Sequence, residues 1–351
     1  MYIAFILPSL ANKGPIIVAK DLCEEYIRLG HTCIMFYFND IRELDMPCTA
    51  KKISFGQLIN FSEYDIVHSH CFIPDLYVGF HHKQIIKGKC KSITTLHNPI
   101  SFSGLKNNYD IVKCLLLSIG WRWALPYFNH VVVLNEYIKS KITFVDVKQL
   151  SVIFNGRNIP TEMKLENTMA LNDILRLKLK YKIIGTVSSV DKRKNISQII
   201  RALPQLKDFA YLSVGDGPQL SELKELACRL NVSDRCVWIG YTSNAWNYYQ
   251  YMDIFAMCSK SEGFPLAFIE AAAFGKSIVL SDIPIFKSIV SDDMVCFYHL
   301  GDDNSFIEAI NKADKNTIRM KPIIEKYYNT FLTKEVMAKR YLNLYKQLIN
   351  C

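Results

Sequence analysis

Two carboxylates frame the stretch of this sequence best suited to chemistry. Glu262 and Glu270 are separated by seven residues, within Ser259-Lys-Ser-Glu-Gly-Phe-Pro-Leu-Ala-Phe-Ile-Glu-Ala-Ala-Ala-Phe-Gly275. The segment opens polar, turns on Gly263 and Pro265, and is then almost wholly apolar up to Gly275. Proline near a first turn and glycine just past an end are helix start and stop signals. The expectation is a loop through Phe264 and a short helix from about Pro265 to Phe274. Leu266, Ala267, Phe268, Ile269 and the alanines point all round that helix, so it should be buried. A buried carboxylate is costly unless it is paired or hydrogen-bonded. Glu270 therefore needs either a protein cation or the hydroxyls of a ligand. Glu262 precedes the helix, where free backbone N–H groups and the positive dipole end favour anions, phosphate among them. Two carboxylates, exposed amides and a glycine suit joint binding of a sugar and a diphosphate. A buried helix with Glu270 paired to Lys or Arg is the alternative this stretch leaves open.

Other polar loops follow runs that read as strands. Lys13-Gly14-Pro15 opens the first helix, and Gly14 would let backbone approach a phosphate closely. Asp65 to His70 ends one strand and Thr94 to Pro99 the next. A histidine just past a buried strand can contact a substrate hydroxyl or move a proton, which makes His97 a candidate. His68 and His70 are read first as structural, and as facing apart and so a poor metal pair. The loop from Val187 to Asn195 holds Ser189 and three cations, Lys192, Arg193 and Lys194. It suits a diphosphate, or is a solvated basic loop, and Asn195 is expected to cap the following helix. Gly215-Asp-Gly217-Pro218 is a turn between strand and helix. Gly240-Tyr241-Thr242 would place Tyr241 near a base. No D-x-D occurs, and a metal-bridged diphosphate needs clustered acidic ligands. No metal or other cofactor is expected, with loop cations and helix amides neutralising the phosphate. The dinucleotide fingerprint G-x-G-x-x-G is absent after the first strand, which disfavours a nicotinamide dehydrogenase.

The elements that must position these loops alternate between short β-branched runs and helical ones. Strands are expected at Ile3–Leu7, Cys33–Phe38, Ile66–His68, Ser92–Leu96, Val131–Leu134 and Val152–Phe154, with a first helix over Ile16–Leu29. A second set is expected at Ile183–Val187, Ala210–Val214, Val237–Ile239, Ile254–Met257, Ser277–Leu280 and Val295–Phe297. Helices are expected at Ile196–Leu203 and Gln219–Leu230, and the tail Lys321–Cys351 has helical spacing. This alternation reads as βαβ units and parallel sheets. The 351 residues suggest two domains, joined by a linker around 155–178. Two doubly wound α/β domains facing each other would leave a central cleft lined by the carboxyl ends of both sheets, where such folds bind ligands.

Composition narrows the partners. The net charge of +9 leaves nucleic acid, an anionic membrane surface and anionic small substrates open. Without zinc-finger spacing or an RNA-binding signature, nucleic acid is not expected. The eleven cysteines are scattered with no C-x-x-C, as in a reducing cytosol. Met1–Leu7 lacks a basic region and reads as a strand, not a signal peptide. Cys114–Phe128 is too short for a membrane span. It is a core helix or a membrane-surface helix, and Trp121 and Trp123 flanking Arg122 suit an interface.

Glu262 and Glu270, set within Ser-Glu-Gly-Phe-Pro-Leu-Ala-Phe-Ile-Glu-Ala, resemble the E-x7-E motif of the retaining GT-B glycosyltransferases of family GT4. The Lys194-Asn195 loop, Gly215 to Pro218, Asn155-Gly156 and Asp65 to His70 appear in that family's order, so the resemblance spans nearly the whole chain. It implies a GT-B fold, with an acceptor-side domain over 1–157, a donor domain over 158–329, and a helix at about 330–351 packing back on the first. It implies that Glu270 binds the ribose hydroxyls. Glu262, Gly263 and Phe264, with Pro265 and Leu266 beside them, would hold the sugar and its phosphate. Lys194 and Ser189 would lie at the diphosphate, with Gly14 approaching it and Tyr241 near the base. His97 is similar to the family's active-site histidine, and Glu262, His97 and Lys194 are the catalytic candidates. The family commonly has Gly-Arg where this chain has Ser188-Ser189, so Lys192 or Arg193 would have to substitute for the arginine.

The activity implied is retaining, metal-independent transfer of a sugar from a nucleoside diphosphate, UDP being expected, to a lipid-linked saccharide in bacterial O-antigen or capsule synthesis. The enzyme would be cytoplasmic, with peripheral contact at an anionic inner membrane. A non-catalytic nucleotide-sugar-binding subunit and a GT-B nucleotide-sugar epimerase are the competing readings.

Overall fold

Every strand among the described residues lies in one of two wholly parallel sheets. The computed structural model describes residues 1–100, 110–160 and 168–350. The chain divides into one unit of Met1–Arg157, Gly263–Leu266 and Phe331–Cys351, and a second of Asn158–Glu262 and Ala267–Thr330.

The first unit holds β1 (Tyr2–Leu7), β2 (Thr32–Tyr37), β3 (Ala50–Lys52), β4 (Ile66–His70), β5 (Lys91–Leu96), β6 (His130–Val133) and β7 (Leu150–Val152). Their order is β3-β2-β1-β4-β5-β6-β7, and every pair is parallel. The second holds β8 (Lys182–Val187), β9 (Phe209–Val214), β10 (Cys236–Trp238), β11 (Ile254–Met257), β12 (Ser277–Ser281) and β13 (Cys296–Tyr298). Their order is β10-β9-β8-β11-β12-β13, again all parallel. Parallel strands covered on both faces read as continuous apolar runs, and twelve such runs in the sequence overlap twelve of these strands. The thirteenth, β3, is a short edge strand of one alanine and two exposed lysines, so no apolar run marks it. β7 begins two residues before the expected run.

The strand orders decide where a ligand can sit. In the first sheet the winding reverses at β1, between β2 and β4. In the second it reverses at β8, between β9 and β11. Open α/β sheets bind ligands beyond the carboxyl ends of the strands at such switch points. Gly14, the Ser189–Lys194 loop and Glu262 follow strands at these points, and His70 ends β4.

The terminal helix Lys334–Ile349 belongs to the first unit, capped by Thr333, whose hydroxyl accepts from Val336 N. Met337, Ala338, Tyr341, Leu342 and Tyr345 bury one stripe of it against β1 and the helix Gly14–Arg28. The expected continuous helical tail is broken by a π-turn at Tyr328–Leu332.

The helix Ile111–Ala124 is capped by Asp110, whose carboxylate accepts from Lys113 N. Cys114, Leu117, Trp121 and Ala124, at spacings of three and four, form its buried stripe. The opposite face is apolar too, yet Ile111, Val112, Leu115, Leu116, Ile119 and Trp123 are 45–71% exposed. Core and surface readings of this segment each describe one face. Trp121, expected at an interface, turns inward instead: its indole N–H donates to Asp75 Oδ2 at 2.8 Å. Trp123 stays on the exposed face, and Arg122 lies over the Phe144 ring.

Asp75 is fully buried and is the polar knot of this sheet. It also accepts from Ser69 Oγ at 2.7 Å and Thr94 Oγ1 at 2.6 Å, tying β4 to β5 just before His70 and His97. Burial pushes its carboxyl up to about 7, against the pull of the three hydrogen bonds. A carboxyl raised in the folded state stays protonated there after it has ionised in the unfolded chain. Its stabilising contribution is therefore full below about pH 4 and is lost as pH rises to about 7. Asp75→Asn, always neutral and of the same shape, is expected to flatten the fall in melting temperature across that window. Half-buried Asp21, also raised to about 7, keeps part of the slope. A slope identical to wild type would contradict this role.

Candidate active site

In the second unit three loops are laced together beyond the sheet. Ser188 N donates to Val214 O, Val190 N to Asp216 O, and Gly215 N to Gly240 O. Gly215 has φ +130°, and a Cβ there would fall 1.9 Å from Ser188 O; one on Gly217 would fall 2.5 Å from Val190 O. The Gly-Asp-Gly-Pro turn is thus the platform on which the Ser188–Lys194 loop rests, and its glycines are required by that close approach. Inside the loop, Asp191 accepts from Ser189 Oγ and from the backbone N–H groups of Arg193 and Lys194. Asn195 has φ +52° and is not the helix cap expected of it: its amide donates to Gln198 Oε1, and Ile196 takes the cap position of the helix Ser197–Ala202.

The loop delivers two cations to one carboxylate. Lys194 Nζ lies 2.6 Å from Glu262 Oε1, and Arg193 Nη1 lies 3.1 Å from Oε2. Arg193 also donates to Ser261 O at 2.9 Å, while Lys192 is exposed. The side chain of Glu262 is only 7% exposed. Burial acts to raise its carboxyl, but Lys194 and then Arg193 outweigh it and hold the group below the usual glutamate range. Lys192, Arg193 and Lys194 set against Asp191 and Glu262 leave one net positive charge. Glu270 is buried in the helix Leu266–Ala273, as the apolar pattern requires, and Tyr249 Oη lies 2.9 Å from its Oε2. No motif points to Tyr249, which sits in an aromatic run at Trp246–Tyr251. Tyr241 is 69% exposed, after β10.

In the first unit, β4 and β5 carry the histidines. His70 Nδ1 lies 2.8 Å from His97 Nε2. The expectation that His68 and His70 face apart is wrong, because a spacing of two returns to the same face of a strand. Their rings are 4.3 Å apart. His68 is structural: Nδ1 meets Tyr345 Oη at 2.6 Å and Nε2 meets Thr95 Oγ1 at 2.8 Å. Burial pushes His68 and His97 down to about 3 and His70 well below its usual range, so all three are neutral at pH 7. The stretch Gly263–Leu266 packs in this same unit. A Cβ on Gly263 would fall 1.7 Å from His97 O, so only glycine fits. Asn135 Nδ2 donates to Gly263 O at 2.9 Å and Asn155 Nδ2 to Phe264 O at 3.1 Å. Pro265 and Phe264 are buried, and Leu266 joins the core around β1. Asn135 was missed in the sequence, where it resembles an ordinary helix cap, which it also is. Gly14 is the first residue of its helix, with open space where a Cβ would stand. Among the described residues no group of three or more His, Cys, Asp or Glu is arranged to hold a metal ion.

Two family models match the chain: "Glycosyltransferase Family 4" over residues 50–159 and "Glycosyl transferases group 1" over residues 170–330. The chain belongs to the group 1, family 4 glycosyltransferases. This glycosyltransferase is 26% identical to the O-antigen biosynthesis glycosyltransferase WclY of Escherichia coli, over 99% of each chain. It is 26% identical to an E. coli UDP-Gal:alpha-D-GlcNAc-diphosphoundecaprenol alpha-1,3-galactosyltransferase, over 76% of this chain and 70% of that one. The structure of Anabaena HepE in complex with UDP matches it with a TM-score of 0.80, covering 99% of this chain and all of the other at 16% identity. The two doubly wound units of the glycosyltransferase are of the GT-B type.

The ion pair sets a stability test. Removing one partner of a buried pair typically costs ~3–5 kcal/mol. Arg193 remains when Lys194 is lost, so Lys194→Ala is expected to cost about 2–3 kcal/mol in urea unfolding. Adding Glu262→Gln should recover most of that loss. A double variant no more stable than Lys194→Ala alone would show that the pair is not the source.

Proposed function

We propose that this glycosyltransferase moves a sugar from a uridine diphosphate donor to a lipid-linked saccharide, with retention at the anomeric carbon and without a metal ion, in bacterial O-antigen or capsule synthesis. The observation that supports this most is Glu262, buried and kept ionised by Lys194 and Arg193 at the loop before the Glu270 helix. An ammonium has three donors. Glu262 takes one and aims the group, and two remain for the oxygens of a diphosphate. Arg193, occupied by Glu262 and Ser261 O, takes the supporting place rather than that of the family's missing arginine. The amides of Gly263 and Phe264 add donors for the sugar and its phosphate. Glu270, oriented by Tyr249, accepts from the ribose hydroxyls, and Tyr241 is set by the base. The family resemblance assigns Gly14 to the diphosphate and His97 to the sugar.

The bond that breaks joins the anomeric carbon to the terminal phosphate oxygen of the donor. The bond that forms joins that carbon, on the same face, to the acceptor hydroxyl oxygen. The hydroxyl proton passes to the departing phosphate oxygen, so no protein nucleophile is needed. Negative charge grows on the diphosphate, where Lys194 and the loop amides stand ready. One such preorganised donor is worth roughly 10²–10³ in rate. The similarity to an O-antigen transferase along nearly the full length, and to a transferase named for a diphosphoundecaprenol acceptor, supports a lipid-linked acceptor.

A lipid-linked acceptor calls for a membrane surface. Among the described residues no helix is long and apolar enough to cross a membrane. The exposed apolar face of Ile111–Ala124, with Lys113 and Arg122 beside it, suits the headgroup region of an anionic bilayer at the cytoplasmic side. Purified protein is expected to sediment with phosphatidylglycerol vesicles at low salt, and Leu116→Asp with Ile119→Asp to abolish this without lowering the melting temperature. Binding that ignores both substitutions would remove this face from the proposal.

Donor binding is tested by thermal shift with UDP, GDP and ADP sugars. Ligand at ~100 times its dissociation constant stabilises by ~2.7 kcal/mol. A UDP-sugar is expected to raise the melting temperature of wild type and to leave Glu270→Gln unmoved. An equal shift in both would overturn the ribose role of Glu270.

A further inference from the structure

His70 carries a buried ring nitrogen that meets no partner among the described residues. Its side chain is fully buried, and among the described residues Nε2 has no hydrogen-bond partner. Nδ1 lies 2.8 Å from His97 Nε2. Both rings are neutral, so one hydrogen lies between these two nitrogens and it has two arrangements. If His97 donated from Nε2, His70 would be bare at Nδ1 and would carry its hydrogen on Nε2, as a buried donor with no acceptor. If His70 donates from Nδ1, only a lone pair is left at its Nε2. Orphaned buried N–H groups are the rarer defect, so the second arrangement is favoured. His97 then accepts at Nε2 and, being neutral, carries its own hydrogen on Nδ1. His97 is half-buried, and Nδ1 makes no hydrogen bond among the described residues.

The surroundings leave little freedom for another arrangement. His68, its ring tilted against that of His70, is held at both nitrogens by Tyr345 and Thr95, and cannot turn to serve it. Thr95 Oγ1 is also 2.7 Å from Tyr341 Oη, and Tyr345 Oη is 3.4 Å from Tyr26 Oη, so the network closes away from His70 Nε2. Phe5 faces the His70 ring from β1. On the other side, Gly263 lies against the carbonyl of His97, which sets the histidine beside the loop that follows Glu262.

We propose that His70 is a positioning residue that fixes the tautomer of His97, so that His97 Nδ1–H is held as a donor to an oxygen of the transferred sugar. This rests on the reading that His97 stands beside the sugar. It explains a histidine pair that needs no charge: a neutral, oriented donor favours a sugar oxygen without burying a cation. It also assigns roles by atom. An asparagine at position 70 carries its amide nitrogen where the imidazole has Nδ1, whereas glutamine carries it one bond further out.

The test uses the full chain with ¹⁵N-labelled histidine, and the His97 resonances are assigned with His97→Gln. In the free protein His97 is expected as the Nδ1–H tautomer. Its Nδ1 resonance should move on adding whichever of UDP-glucose, UDP-galactose or UDP-N-acetylglucosamine raises the melting temperature. His70→Asn should keep the tautomer and most of the turnover. His70→Gln should lose the tautomer and lower kcat about tenfold with melting temperature retained. An Nε2–H tautomer in free wild type overturns the role of His70, whatever the function of the protein. A correct tautomer whose resonance ignores a bound donor overturns the sugar contact instead. Equal loss in the two variants, with the His97 tautomer unchanged in both, also overturns the proposal.

Discussion

Glu262 is a carboxylate held out of water and yet ionised, and the loops around it are built to allow that. Glu262 can be ionised where it is only because Lys194 and Arg193 both reach it. Neither could do so from a free loop. Their backbone N–H groups are tied to Asp191, the loop rests on Gly215 and Gly217, and Lys260 N donates to Arg193 O at 2.8 Å. Order in the loop after β8 and in the loop after β11 is therefore one property. Among the described residues the same pairing leaves donors on Lys194 without a partner.

Immediately past Glu262 the constraint changes from charge to volume. Gly263 exists because the His97 carbonyl occupies the place of its side chain, and two asparagines hold the carbonyls of Gly263 and Phe264. The residues that carry the polar work here, Asn135, Asn155 and His70, are buried and uncharged. Asp75 follows the same pattern one layer deeper, gathering neutral donors from β4, β5 and the helix Ile111–Ala124. That helix shows apolar residues to solvent on its far side, so one element serves both the core and a surface.

Much of this was legible in the sequence because its signals are local. Apolar runs of three to six residues marked the strands, and Pro265 and Gly275 bracketed the helix that carries Glu270. β3 was not legible, since an edge strand needs no apolar run. Asn195 failed as a cap because its backbone turns left-handed to carry the loop. The pairings were the least visible part: Tyr249 with Glu270, His70 with His97 and Trp121 with Asp75 are 21, 27 and 46 residues apart in sequence. Each depends on strand order, which composition does not encode. The resemblance supplied roles for Glu262, Glu270 and Lys194, while the geometry supplied what supports them.

The central claim is that protein cations and amides, not a metal ion, neutralise the departing diphosphate. Release of uridine diphosphate by the purified protein, followed with and without EDTA and with added Mg²⁺ or Mn²⁺, tests it most directly. Turnover unchanged in EDTA is the expected result. Turnover abolished by EDTA and restored by either cation would contradict it.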